Sequence, residues 1–298
     1  MRSRPLRRPS LVPAVALLLV ALAGLVPAAA EQTIRFAGHP LDAETLDQGA
    51  LTAALWLPAG AGPHPAIVMM HGCGGLRRRD GALTARHRDW AERFVGLGHV
   101  VLHVDSFTPR GLSSICEQTR RSIEPERERA RDAYAALAYL QSRPDVRPDA
   151  VSLLGWSHGG ASALNAVGTD APARPTGLAR DFAAAIAFYP GCRAVAERRQ
   201  GWTTGIPLLI LVGDADDWTP VAPCRTLVDR AASYGAPVAL VVYPGAVHDF
   251  DAPDMALHVR RNVGSTRSGT ATLGTDPAAR DDAIRRVRDF VTARTPPP

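Results

Sequence analysis

Val151-Ser152-Leu153-Leu154-Gly155-Trp156-Ser157-His158-Gly159-Gly160 is the stretch on which the reading of this chain turns. Val151–Leu154 is short and apolar, as a strand buried on both faces would be. The glycines then break the pattern, and Gly159–Val167 has the spacing of a helix. A strand that feeds a helix through Gly-x-Ser-x-Gly holds its serine on a tight turn, at the carboxyl end of the strand and the positive end of the helix. Side chains at the flanking positions would clash, which accounts for glycine on both sides. A bare motif of this kind also occurs as an ordinary glycine-rich turn. The strand before and helix after make Ser157 a candidate nucleophile.

Outward from this stretch the same alternation repeats. Leu51–Leu57 and Ala66–His71 read as strands, the second almost wholly apolar. Arg86–Leu97 carries apolar residues at helical spacing up to Gly98, and His99–Asp105 is the next strand. After a loop holding Pro109, Gly111 and Cys116, Glu126–Gln141 reads as a helix with Tyr134, Leu137 and Leu140 on one stripe. Ala150–Leu154, Ala184–Tyr189, Pro207–Val212 and Val238–Tyr243 continue as strands, with helices at Ala222–Tyr234 and Ala278–Thr292. This order predicts an α/β fold, a mostly parallel central sheet with helices on both faces. Ligands of such sheets bind at the carboxyl ends of strands, so chemistry is expected in the loops that follow them. Asp251–Asp276 is polar, holds Gly264, Gly269 and Gly274, and has little periodicity, which predicts either a lid or a disordered excursion.

A serine nucleophile needs a base, and on such an elbow the chain order is nucleophile, acid, base. Beyond the adjacent His158, only His248 and His258 follow Ser157. His248 comes shortly after strand Val238–Tyr243, at a carboxyl end, whereas His258 lies in the polar segment and reads as a solvated histidine. The acid is sought in Gly213-Asp214-Ala215-Asp216-Asp217-Trp218-Thr219-Pro220. An acid just past the turn glycine can curl back toward the base, which favours Asp216 over Asp217 and then Asp214. Its role would be to orient the imidazole and stabilise the imidazolium. His71-Gly72-Cys73-Gly74-Gly75 matches a glycine-rich loop that donates a backbone N–H to an oxyanion, so the backbones of Cys73 and His158 are the candidate donors. His71 reads as a brace for that loop. A zinc site on His71 and Cys73 lacks further ligands at useful spacing, and no cofactor or metal is expected. Arg110 is either a contact for a substrate carboxylate or, more commonly for its type, a solvated loop arginine.

These stretches, with Asp105-Ser106-Phe107-Thr108-Pro109-Arg110-Gly111 and Pro244 to Phe250, resemble in order the dienelactone hydrolase family of α/β-hydrolases, over most of the chain. The resemblance implies an eight-stranded-type sheet without a large cap domain, and hydrolysis of small esters or lactones. The namesake enzymes carry a cysteine nucleophile where this chain has Ser157, which shifts the expectation toward a more general esterase working through an acyl-enzyme. In this fold, strands Ala66–His71 and His99–Asp105 lie side by side, so the loops carrying Cys73 and Cys116 are neighbours. Cys192 and Cys224 likewise follow consecutive strands. Disulfides Cys73–Cys116 and Cys192–Cys224 are therefore expected. Two rival readings are a serine peptidase resembling the prolyl oligopeptidase group and a catalytically silent binding module. The first usually carries an extra N-terminal domain, for which too few residues precede the first core strand. Candidates for all three members of a catalytic set weigh against the second.

Composition narrows the remaining classes. With 298 residues, 46% of them apolar, the chain is long enough for a sizeable core. All 34 basic residues are arginine, so Schiff-base chemistry, a pyridoxal cofactor and a phosphate-loop lysine are excluded. The net charge of +5 owes much to Arg2, Arg4, Arg7 and Arg8; the remainder is nearly balanced and has no electrostatic reason to seek nucleic acid. The Arg-bearing start, the apolar run Leu11–Val26 and the small residues Ala28 to Ala30 read as a signal peptide over residues 1–30, cleaved near Ala30. Pro13 and Pro27 bracket a stretch rather short for a membrane span, so no stable insertion is expected after cleavage. Arg7-Arg8 is a weak hint of twin-arginine export. Residues 31–298 are thus expected to form a single exported domain, periplasmic or secreted, with a small ester or lactone as its partner. The oxidising compartment fits the disulfides.

Overall fold

The computed structural model describes residues 30–176, 178 and 180–295; the expected leader, apart from Ala30, lies outside them. β1 (Gln32–Ala37), β2 (Ala50–Trp56) and β3 (His64–Met70) come first. α1 (Ala85–Gly96) leads to β4 (Val100–Asp105), and α2 (Glu128–Gln141) to β5 (Val146–Trp156). Then follow α3 (His158–Ala166), β6 (Ala184–Phe188), the short α4 (Arg193–Ala196), β7 (Leu208–Gly213), α5 (Val221–Ser233) and β8 (Val238–Tyr243). β9 (His258–Arg261) and β10 (Thr270–Leu273) form a separate hairpin before α6 (Pro277–Thr292).

Eight strands make one sheet in the order β1-β2-β4-β3-β5-β6-β7-β8. The pairs β1–β2 and β2–β4 are antiparallel, and all pairs from β4 across to β8 are parallel. The parallel strands are apolar at nearly every position because both faces are covered. Ala66, Val68 and Met70 of β3 pack in the core with α2, α3 and α5, while Ile67 and Met69 pack with α1 and α6. Each large apolar side chain buried this way contributes about 1.5–3 kcal/mol relative to exposure. Two of the helices, α1 and α6, begin on side-chain caps: the Thr84 hydroxyl accepts from His87 N–H, and Asp276 accepts from Ala279 N–H with Pro277 opening α6.

Two regions depart from the sequence expectations. β1 pairs along the sheet edge but fully buries only Phe36, so its sequence carries almost no apolar alternation. Asp251–Asp276 is a folded hairpin region rather than an excursion. Thr272 donates from N and Oγ1 to Asp217 (2.8 Å each), and Gly264 N–H donates to Cys116 O (3.1 Å). Its Val263, Ala271 and Leu273 are buried with Phe107, Ile115 and Trp218. Among the described residues no helix is long and apolar enough to cross a membrane.

Candidate active site

Ser157 joins β5 to α3 with φ 52° and ψ −112°, a conformation that a side-chain-bearing residue adopts only when its surroundings impose it. Here they do. Ser157 N–H donates to Phe188 O (2.9 Å), and its own carbonyl accepts from Ala161 N–H (2.8 Å). A Cβ on Gly155 would run into the Gly159 carbonyl, and one on Gly159 into the carbonyls of Met70 and His71. Both glycines are therefore demanded by close approach, which seats the start of α3 against the end of β3. The register pairs Met70 with Gly155, so the His71–Gly75 loop leaves the sheet beside Ser157.

His248 and Asp216 come together from the loops after β8 and β7. His248 Nδ1 lies 2.7 Å from Asp216 Oδ2, and both side chains are buried. Asp216 Oδ1 accepts from the N–H groups of Trp218 (2.9 Å) and Thr219 (2.8 Å). Thr219 Oγ1 lies 2.9 Å from Asp216 Oδ2 and 3.2 Å from His248 Nδ1. The carboxylate is thus saturated with donors and holds the imidazole with its Nε2 edge free to act. Burial alone would lower the His248 pKa, but the attraction of Asp216 and the hydrogen bond to it prevail, and the value is raised. The rings of Tyr189 (4.4 Å between centroids) and Trp218 (4.8 Å) flank the imidazole. Ser157 and His248 line the same cleft, of about 310 Å³. No hydrogen bond between them stands among those of the described residues; such contacts tighten when substrate binds.

The neighbouring aspartates have other tasks. Asp214 Oδ1 accepts from Gly245 N–H (2.6 Å), which closes the turn before His248, and Asp217 holds the β9–β10 hairpin through Thr272. His258 is exposed on β9. Gly72 and Cys73 line the cleft beside Ser157, and His158 is the first residue of α3, so both expected oxyanion donors stand at the nucleophile. His71 does brace their loop. Ser106 N–H donates to its Nε2 (3.2 Å), which leaves the proton on Nδ1, donated to Gly72 O (2.7 Å). Cys73 is joined to Cys116 (S–S 2.01 Å) and Cys192 to Cys224 (2.02 Å). Among the described residues no group of three or more His, Cys, Asp or Glu side chains is arranged to hold a metal ion. Arg110 neither reaches the cleft nor meets solvent: its side chain is buried and paired with Asp132 (2.8 and 2.9 Å) and Asp42 (3.7 Å).

A second set of buried polar groups lies behind the base and is not legible in the sequence. Asp251 Oδ2 accepts from the indoles of Trp90 and Trp156 (2.8 Å each), and Oδ1 from the Tyr189 hydroxyl (2.5 Å). Arg86 pairs with Asp249 and donates to the Tyr189 hydroxyl (2.8 Å). This set ties the residue before Ser157 to the loop that carries His248. The bonded pairs stand 62 to 163 positions apart along the chain, and no local pattern announces them.

With the geometry in place, known proteins supply a context. The model of the dienelactone hydrolase family matches residues 51–294. A quorum-quenching protein, AidA, from Acinetobacter baumannii (strain MDR-ZJ06) is 35% identical over 119 residues. That match takes in 40% of this chain and only 36% of the relative's length. Among solved structures, the dienelactone hydrolase-like promiscuous phosphotriesterase P91 from metagenomic libraries superposes with a TM-score of 0.63 at 18% identity, covering 90% of this chain and 99% of that one. A thermophilic esterase from Thermogutta terrifontis gives 0.58 at 20% identity, over 90% and 92% of the two chains. At such identities these two likenesses speak for the fold.

Proposed function

This chain belongs to the dienelactone hydrolase family, and from that premise we propose that it is an exported serine hydrolase of small carboxylic esters or lactones, working through an acyl-enzyme on Ser157. The observation that carries the reading is the buried Asp216–His248 pair, at 2.7 Å, in the same cleft as a serine held at positive φ between strand and helix. His248 Nε2 takes the proton of Ser157 Oγ as the oxygen attacks the ester carbonyl. Asp216 stabilises the imidazolium formed, and the N–H groups of Cys73 and His158 receive the oxyanion. The imidazolium then protonates the leaving alcohol, and a water activated by His248 hydrolyses the acyl-enzyme. Two disulfides support a site of action in an oxidising compartment, and with it the export read from the first thirty residues.

The test is a panel of short acyl esters, lactones and peptide amides, run on the parent and on Ser157→Ala. Ester or lactone turnover that falls by several orders of magnitude in the variant supports the reading. Near-parental turnover in the variant, or a parent that cleaves amides but not esters, contradicts it.

A further inference from the structure

Arg129, on the buried face of α2, is a charge that the reaction as described does not use. Its side chain is wholly buried, yet it forms no ion pair among the described residues, since the adjacent Asp132 is engaged by both terminal nitrogens of Arg110. A guanidinium taken out of water without a contacting carboxylate is costly, and a fold retains such a group only where something offsets the cost. Its contacts show where it acts. Nη2 donates to the carbonyl of His71 (2.7 Å), at the root of the Gly72–Cys73 loop. Nη1 donates to Nδ1 of His158 (3.2 Å), the first residue of α3. The plane rests over the Phe107 ring, 5.2 Å away, and Phe107 in turn meets the His71 ring edge-on at 4.5 Å. One side chain therefore grips both segments whose N–H groups are the expected oxyanion donors, from the protein side of the hole.

We propose that Arg129 is the positioning residue of the oxyanion hole: its fork fixes the Cys73 and His158 backbones relative to each other, and its charge favours the tetrahedral anion over the neutral substrate. The inference rests on the proposed acyl transfer at Ser157. Two consequences separate it from a packing role. An interaction with charge that exists only in the transition state acts on kcat and leaves KM nearly alone. Removing the buried charge also lifts its desolvation cost, which offsets the hydrogen bonds lost at the His71 carbonyl and His158 Nδ1, so stability changes little. Burial depresses the Arg129 pKa to about 9, so the group is still charged at neutral pH.

The experiment compares Arg129→Met and Arg129→Lys with the parent. It reads kcat and KM on p-nitrophenyl acetate, Tm, and the affinity of a trifluoromethyl ketone, which forms a charged tetrahedral adduct with a serine. In Arg129→Met, kcat is expected to fall about a hundredfold with KM within about threefold, and ketone affinity to fall by a similar factor. Tm is expected to shift by no more than a few degrees. Arg129→Lys, which keeps the charge but not the fork, is expected to recover part of kcat. Overturning results are a kcat within about threefold of the parent in Arg129→Met, a kcat loss in step with lower Tm, unchanged ketone affinity, or failure of Arg129→Met to fold. Ser157→Ala, run beside them, separates the two claims. If it is inactive while Arg129→Met turns over normally, only the role of Arg129 is lost; if it is active, the serine reading itself has failed.

Discussion

The elbow at Gly155–Gly160 and the segment Asp251–Asp276 both contribute residues to the same cleft, and they are held in different ways. The elbow's shape is imposed by close contact at its two glycines: Gly155 admits the Gly159 carbonyl and Gly159 the carbonyls of Met70 and His71, and a helix begins one residue after the serine. The hairpin region owes its shape to partners far along the chain. Asp217 holds Thr272, Cys116 O holds Gly264, and His248 O accepts from Gly274 N–H (3.1 Å). The elbow is fixed by steric demand at its glycines, and the hairpin region by long-range hydrogen bonds. The first should be intolerant of change at single positions, the second robust to the loss of any one contact.

Asp216 and Asp217, adjacent in one loop, divide between these regions and give the sharpest contrast. Asp216→Asn is expected to cut ester turnover on the order of a thousandfold or more, because the imidazole loses its counter-charge and its fixed tautomer. A loss smaller than that of Asp217→Asn, measured side by side, would assign the acid to the wrong residue. The pH profile sharpens the same point. Protonated His248 cannot accept the serine proton, and Asp216 raises its pKa, so the acid limb of kcat/KM is expected above the ordinary histidine value of 6.5. Below the limb, kcat/KM should fall about tenfold per pH unit. A limb well under that value would mean that Asp216 does not act on His248.

Cys116→Ser probes the junction of the two regions, since Cys116 is tied to the oxyanion loop by its sulfur and to the hairpin by its carbonyl. Unfolding measured in denaturant is expected to show a loss of about 2–4 kcal/mol. Unchanged stability would show that the bridge constrains little. The smallest effect is expected from Asp217→Asn, with turnover within about threefold of the parent, because the hairpin keeps its other ties. A large loss there would erase the contrast between the two regions.

The same contrast explains what could be read from the sequence. The parallel strands, and the placement of Ser157 and His248 just past their carboxyl ends, were legible because each depends on a short apolar run and the residues just after it. The cysteine pairing followed from which of those strands are neighbours. Asp216 required a guess at how a loop curls, since Asp214 and Asp217 carry the same side chain a few positions away. β1 and β9 were not legible: β1 fully buries one residue of six, and β9 none. Arg129 and Asp132 share the buried face of α2 with Tyr134, Leu137 and Leu140, but hydropathy reads them as surface charges because their partners lie elsewhere in the chain. Asp251 and Arg110 were hidden for the same reason.

The central claim is that Ser157 is the nucleophile and His248 its base. Incubation with a fluorophosphonate, followed by peptide mapping by mass spectrometry, tests it directly. The account predicts a single covalent adduct on Ser157, formed slowly or not at all in His248→Ala. An adduct on another residue, or rapid labelling of Ser157 without His248, would contradict it.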